Sequence, residues 1–201
     1  MSRGGDVYFS VDVEADGPLP GPHSLSSVGA CVAGRLDEDG DFVRLDPAAD
    51  TFYAELRPIS TDWVPEALAV SGLDRDALVL AGRDPAEAMT EFATWVRTQA
   101  RHHGGRAVFC AYPLGFDWLF AYWYLVQFAE GGSPFGHSSH LDMKTAYAVR
   151  GRQPIARSVK RLMPRALLSS RRHTHNALDD AIEQADLLAN LMTWDGQLRR
   201  G

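Results

Sequence analysis

The run "VYFSVDVE", residues 7 to 14, alternates in character along its whole length. A period of two marks a strand with two different faces. Val7, Phe9, Val11 and Val13 point one way; Tyr8, Ser10, Asp12 and Glu14 point the other. The apolar face must be covered by other elements. The opposite face ends in carboxylates, and Asp16 follows two residues later. Strand interiors disfavour Asp, and like charges placed together repel. The segment therefore predicts a buried strand and leaves open what makes its clustered acids tolerable.

The remaining patterns assemble around this strand. "DGPLPGPHS" is a loop, and "LSSVGACVAG" is a second strand. Asp39-Gly40 is a hairpin signal. A third strand is expected from Phe42 to Leu45, continuing through "TFYAEL". Helical patterns follow in "TDWVPEALAVSG", "DRDALVLAG" and "DPAEAMTEFATWVRTQARHH", the last with Asp84 as N-cap and Pro85 at its first position. "RAVFCAY" is a short buried strand, and "GFDWLFAYWYLVQFAEGG" is an aromatic helix. Shorter helices are expected over 141–149 and 154–163. A final helix is expected over 177–194, with Leu178, Ile182, Ala185, Ala189 and Met192 as its core stripe. This order predicts one α/β domain over residues 1–201, with a mixed sheet whose first three strands form an antiparallel meander flanked by helices.

Composition narrows the setting. Cys31 and Cys110 are far apart and lie in apolar runs, which fits reduced core cysteines in a cytoplasmic protein. "MSRGGD" leads directly into the first strand with no signal-peptide pattern. The most apolar stretch, "FDWLFAYWYLVQF", is shorter than the roughly 20 residues a bilayer span needs; no membrane role is expected. The net charge of −6 hides an asymmetry: residues 150–172 hold eight Lys or Arg and no acid, leaving 12 bases against 26 acids elsewhere. That fits either an anion-binding face or a solvated surface.

Three acidic pieces stand out. Asp12 and Glu14 are two apart on a strand, so both project from one face; a strand with one wet face would do the same. Asp117 opens the aromatic helix, where the helix dipole alone would favour it. In "HTHNALDDAIEQADLL", Asn176 is a good N-cap. His175 and Asp180 are five apart, about 140° around a helix, so His175 can face Asp180 only from outside the helix. Each piece has an ordinary structural explanation when taken alone.

Taken in order, "VDVEADG", "YPLGFD" and "HNALDD" resemble the three motifs of the DEDDh family of 3′→5′ exonucleases. That family includes proofreading exonuclease subunits, ribonuclease T and oligoribonuclease. The resemblance spans Val7 to about Leu191, and the extended first motif is closest to the small bacterial exoribonuclease-like branch. It implies a ribonuclease H-like fold and a site of Asp12, Glu14, Asp117 and Asp180 on two Mg²⁺ or Mn²⁺ ions. Hard cations suit oxygen ligands, and such ions sit about 3.5–4 Å apart in two-metal phosphoryl chemistry. On the resemblance, Asp12 bridges both ions, Glu14 and Asp180 complete the water-holding metal, and Asp117 serves the second. His175 is then the general base, since imidazole, with an ordinary pKa of about 6.5, suits proton transfer near neutrality.

The implied partner is a single-stranded 3′ end, RNA before DNA. Arg157, Lys160 and Arg161 are candidates for its backbone phosphates. The backbone near Ala15 and the ring of Phe116 are candidates for receiving the terminal base. Relatives are often homodimers, and the aromatic helix, apolar on every side, offers either core or interface. Two departures bear on substrate preference: Tyr112-Pro113 stands where many relatives have His-Asn, and Ser71-Gly72 where many have His-Gly. Other readings are a non-catalytic nucleic-acid-binding module, a zinc protein using His102, His103, His173 and His175, and a small-molecule phosphodiesterase. The first would need a lost ligand or base, whereas all five residues are present. The second lacks partner cysteines or an HExxH pattern. The basic run favours a polymer over the third.

Overall fold

The computed structural model describes residues 5–197. The first alternating run forms β1 (Gly5–Ala15), the centre of a six-stranded sheet. On one side β1 pairs antiparallel with β2 (Leu25–Leu36); on the other it pairs parallel with β5 (Gly105–Ala111). A short strand, β6 (His140–Asp142), extends the parallel half beyond β5. The helix expected over 141–149 therefore begins later, after this strand; a three-residue strand shows too little periodicity to be recognised.

The expected third strand is two strands. β3 (Phe42–Arg44) pairs with the end of β2, and β4 (Thr51–Glu55) pairs with its start. Between them "DPAA" leaves the ladder, while Leu45 N still donates to Ala33 O and Val32 N to Asp50 O. Asp46 accepts from Ala48 N at 3.0 Å, and Pro47 has no amide to donate. The expected hairpin turn before β3 is present. The Asp37 carboxylate accepts from Asp39 N and Asp41 N, and Gly40 takes the left-handed φ of 86°.

The two faces of β1 build two cores. Val7, Phe9, Val11 and Val13 pack against Met89, Phe92 and Val96 of α3 (Pro85–His102), and against Phe120, Ala121 and Tyr124 of α4 (Leu114–Phe128). Tyr8, with Cys31 and Cys110 of the neighbouring strands, packs against α5 (Met143–Arg150) and α6 (Ala177–Thr193). Both cysteines are free and buried. Two short helices, α1 (Pro65–Ser71) and α2 (Arg75–Ala81), lie between β4 and α3. The Ser71-Gly72 departure is the end of α1, where Gly72 at φ 68° caps the helix through Leu68 O.

Two helical expectations are revised. Residues 154–163 form two single 3₁₀ turns, Ile155–Arg157 and Lys160–Leu162, in place of one helix. Ser158 interrupts them because its buried carbonyl accepts from Tyr112 OH at 2.6 Å. In α6 the buried face runs through Ala177, Asp180, Ala181, Gln184, Leu188 and Leu191, with Ala185 and Ala189 beside it. Leu178, Ile182 and Met192 are only half-buried, because three polar residues, Asp180, Glu183 and Gln184, take buried positions on the helix. In α4, for which either core or interface was expected, one side is buried in the core while Phe116, Leu119 and Val126 are exposed. Among the described residues, no helix is long and apolar enough to cross a membrane.

Gly29 of β2 sets how closely α6 approaches. It pairs with Asp12, and a Cβ there would lie 2.2 Å from the backbone of Ala177 and Leu178. Only glycine lets the start of α6 come down on the sheet beside Asp12.

Candidate functional site

The carboxylates at the end of β1 divide between two tasks. Asp16 is fully buried and occupied: Ser24 N donates to it at 2.5 Å, and Arg75 Nε lies 3.3 Å away. It ties the loop after β1 to α2. Asp12 and Glu14 carry no such cation among the described residues. They lie on the face of β1 that looks toward α6, where Asp180 is completely buried. One carboxylate oxygen from each of Asp12, Glu14 and Asp180 lies within 4.8 Å of the others.

Asp117, buried in the first turn of α4, closes the group from the other helix. Its Oδ1 accepts from Val13 N at 3.0 Å, which fixes it against the backbone between Asp12 and Glu14. The cost of crowding is visible in the acidities. Burial pushes Glu14 up to about 7, with Asp180 adding to the rise. Burial raises Asp117 to about 8 against the opposing Val13 hydrogen bond, with Glu14 raising it further and Lys160 opposing. Asp12 is raised well above the ordinary carboxylate range by burial, then by Asp117, Glu14 and Asp180; Gln184 partly offsets this. Desolvation and like charge act in the same direction here.

The loop before α6 is built around Asp180. Thr174 N donates to its Oδ1 at 2.8 Å and His175 N to its Oδ2 at 2.9 Å. Asn176 caps the helix by accepting from Leu178 N and Asp179 N. His175 sits outside the helix at φ 59°, with its side chain exposed. The geometric condition set by the five-residue spacing is therefore met. His173 lies alongside, its ring centroid 4.5 Å from that of His175 and its Nδ1 3.1 Å from Asp180 Oδ1.

Sequence reading missed Gln184 and Glu183. Gln184 Nε2 donates to Asp12 Oδ1 at 2.6 Å, while its Oε1 accepts from Tyr112 N at 2.8 Å. The signal was present: Gln184 is one helical turn after Asp180, so it shares that face. Glu183 accepts from Lys160 Nζ, and Lys160 also lies 5.4 Å above the Tyr112 ring. Tyr112, one of the two departures from the family pattern, is thereby a packing hub beside the carboxylates.

The other expected residues are scattered. Arg157 and Arg161 are exposed, and neither has an ion-pair partner among the described residues. Arg157 and Arg165 line a cavity of about 830 Å³ together with Tyr147 and Trp194. Ala15 is buried at the end of β1, and Phe116 is 41 % exposed against Phe120. His102 and His103 meet edge to face at the end of α3; among the described residues, neither belongs to a group able to gather a metal, whereas His173 and His175 share one with Asp180.

Comparison with known proteins agrees with this architecture. No protein-family model matches the chain. Among solved structures, the nuclease domain of 3′hExo, a DEDDh family member bound to rAMP, superposes with a TM-score of 0.63 at 15% identity; 92% of this chain and 90% of that one are covered. The zinc-bound form of Escherichia coli exonuclease I with single-stranded DNA superposes with a TM-score of 0.55 at 15% identity, over 92% of this chain but only 39% of that larger one. The fold is thus the ribonuclease H-like fold of the DEDDh exonucleases, a mixed sheet flanked by helices. A curated relative, the Escherichia coli 3′-5′ DNA exonuclease Cap18, is 33% identical over 184 residues, covering 90% of this chain and 89% of the relative. The chain belongs to the DEDDh-type 3′→5′ exonucleases.

Proposed function

We propose that the protein removes nucleoside 5′-monophosphates one at a time from single-stranded DNA 3′ ends, using Asp12, Glu14, Asp117 and Asp180 as metal ligands. The observation that carries this reading is the gathering of Asp12, Glu14 and Asp180 within 4.8 Å, in a setting that raises the pKa values of Asp12, Glu14 and Asp117. Four buried or half-buried carboxylates, with no lysine or arginine paired to them among the described residues, fit hard divalent ions such as Mg²⁺ or Mn²⁺. Two such ions, when bound, supply charge stabilisation to the attacking and leaving oxygens of the phosphodiester.

The chain's own groups do the rest. Gln184 holds Asp12 in one orientation, and Val13 N holds Asp117. Asp180 is held by the two amides of the loop that carries His175, so ligand and base are positioned together. The imidazole of His175 accepts the proton of the attacking water. The P–O3′ bond breaks, leaving a 5′-monophosphate and a strand with a new 3′-hydroxyl. Phe116 and the backbone near Ala15 receive the terminal base, and Arg157 and Arg161 meet upstream phosphates. Lys160, held by Glu183, brings positive charge to the carboxylates themselves.

DNA takes precedence over the RNA anticipated from the motifs because the 33% identical relative is named as a DNA exonuclease. The test is digestion of 5′-labelled single strands of DNA and RNA of equal sequence with Mg²⁺. A ladder shortening by single nucleotides, faster on DNA and absent in Asp12→Asn, is expected. Faster loss of RNA would overturn the substrate assignment. Internal cleavage, or full activity in Asp12→Asn, would overturn the mechanism.

A further inference from the structure

Asp180 belongs to two groups of potential ligands at once. One is the carboxylate set; the other is His173, His175 and Asp180, whose ligand atoms also lie within 4.8 Å of one another. The second group differs in chemistry. Two imidazoles and one carboxylate suit a borderline transition cation rather than a hard one. The spacing is already close to what such an ion needs. With metal–ligand bonds of about 2.0–2.1 Å, neighbouring ligand atoms of a tetrahedron lie roughly 3.3 Å apart. His173 Nδ1 and Asp180 Oδ1 are 3.1 Å apart.

Both histidines are exposed, so their rings can turn without disturbing the core. The carboxylate, by contrast, is fixed by Thr174 N and His175 N. Those two amides belong to the same loop that carries the imidazoles. A rigid anchor and two adjustable nitrogens leave a fourth position for water, the pattern of three protein ligands with one open position.

We propose that His173, His175 and Asp180 form a Zn²⁺ site that competes with the metal-dependent reaction. Zn²⁺ bound there withdraws Asp180 from the carboxylate set and occupies the nitrogen of His175. At a site with two nitrogen ligands Zn²⁺ outcompetes Mg²⁺, which prefers oxygen and keeps its waters. The inhibitory consequence rests on the roles given above to Asp180 and His175; the binding site itself does not. His173 is the discriminating residue, since it belongs to the histidine group and not to the carboxylate set.

The experiment is a Zn²⁺ titration of the metal-free protein against a chromophoric chelator, comparing wild type with His173→Ala, His173→Cys and Asp12→Asn. Co²⁺ absorption serves as a second readout of four-coordinate geometry. One Zn²⁺ should bind with an affinity that falls on the order of 100-fold in His173→Ala, at least the scale seen when groups that support a metal's ligands are removed. Cysteine, itself a zinc ligand, should restore it. Asp12→Asn should keep it. Micromolar Zn²⁺ should inhibit the Mg²⁺-supported reaction of the wild type, and His173→Ala should require correspondingly more. Equal Zn²⁺ affinity in wild type and His173→Ala would overturn the site. So would affinity that depends on Asp12 alone, which would place the ion among the carboxylates. Either result leaves the Mg²⁺-dependent reading to stand or fall on the digestion of labelled strands.

Discussion

At the scale of single residues, identical side chains do different work according to what reaches them. Asp12, Glu14 and Asp16 alternate along one strand and its exit, yet only Asp16 meets an arginine. The alternation showed that the three keep step; it held no information on Arg75, which lies 59 residues further along. His175 illustrates the converse. Its spacing to Asp180 required it to stand outside the helix if it was to face that carboxylate, and its left-handed backbone is the physical form of that position. This backbone also guides the choice of variant, because Asn tolerates φ near +59° better than Ala does. His175→Asn should keep the loop, and hence both amide bonds to Asp180, while losing roughly 10²–10⁴-fold in turnover. Partial recovery at high pH should follow as hydroxide replaces the general base. The check is single-turnover kinetics alongside strand binding: a variant with reduced affinity and intact turnover would make His175 a binding residue.

At the scale of elements, the sequence was most legible where patterns were long. β1, β2, α3, α4 and α6 all lie where periodicity and capping residues put them. It was least legible in the basic run. Charge identified the segment, but Pro154, Pro164 and the carbonyl engagement of Ser158 divide it into single turns that no helical period describes. Within it, the expected phosphate-binding residues separate. Lys160 turns inward to Glu183, whereas Arg157 and Arg161 remain exposed and Arg165 joins Arg157 at the cavity beside Trp194. The proposed backbone track therefore rests on the arginines rather than on Lys160. Replacing Arg157, Arg161 and Arg165 by Ala should weaken binding of long single strands and lower the salt slope by about 0.7 for each phosphate no longer neutralised. The measurement is strand affinity at several salt concentrations, with a dinucleotide for comparison. Equal weakening on long strand and dinucleotide would contradict a track, and unchanged binding of both would return these arginines to the role of solvated surface.

At the scale of the whole molecule, the chain is acidic, with a net charge of −6, and it concentrates carboxylates where β1, α4 and α6 meet. Gly29 permits that meeting by letting α6 approach Asp12, a requirement of three-dimensional closeness that no local pattern expresses. The arrangement is unfavourable for the metal-free protein, and the direction of the effect with pH follows from the acidities. Unfolded carboxyls titrate near 4, whereas burial and neighbouring charge hold Glu14 at about 7 and Asp117 at about 8 in the folded state, with Asp12 also raised. Between those limits the folded state binds more protons than the unfolded one, so stability falls as pH rises from about 4 to about 8. A divalent cation bound only by the folded state offsets the loss where the carboxylates are ionised. The decisive measurement is the melting temperature of wild type and Asp12→Asn from pH 5 to pH 9, in EDTA and in Mg²⁺. Wild type in EDTA should melt lower at high pH, Mg²⁺ should restore stability there and little at pH 5, and Asp12→Asn should be more stable than wild type in EDTA while gaining much less from Mg²⁺. A wild type indifferent to Mg²⁺ at every pH, or an Asp12→Asn variant stabilised by it as strongly as the wild type, would contradict the claim that these carboxylates are gathered to hold a divalent cation.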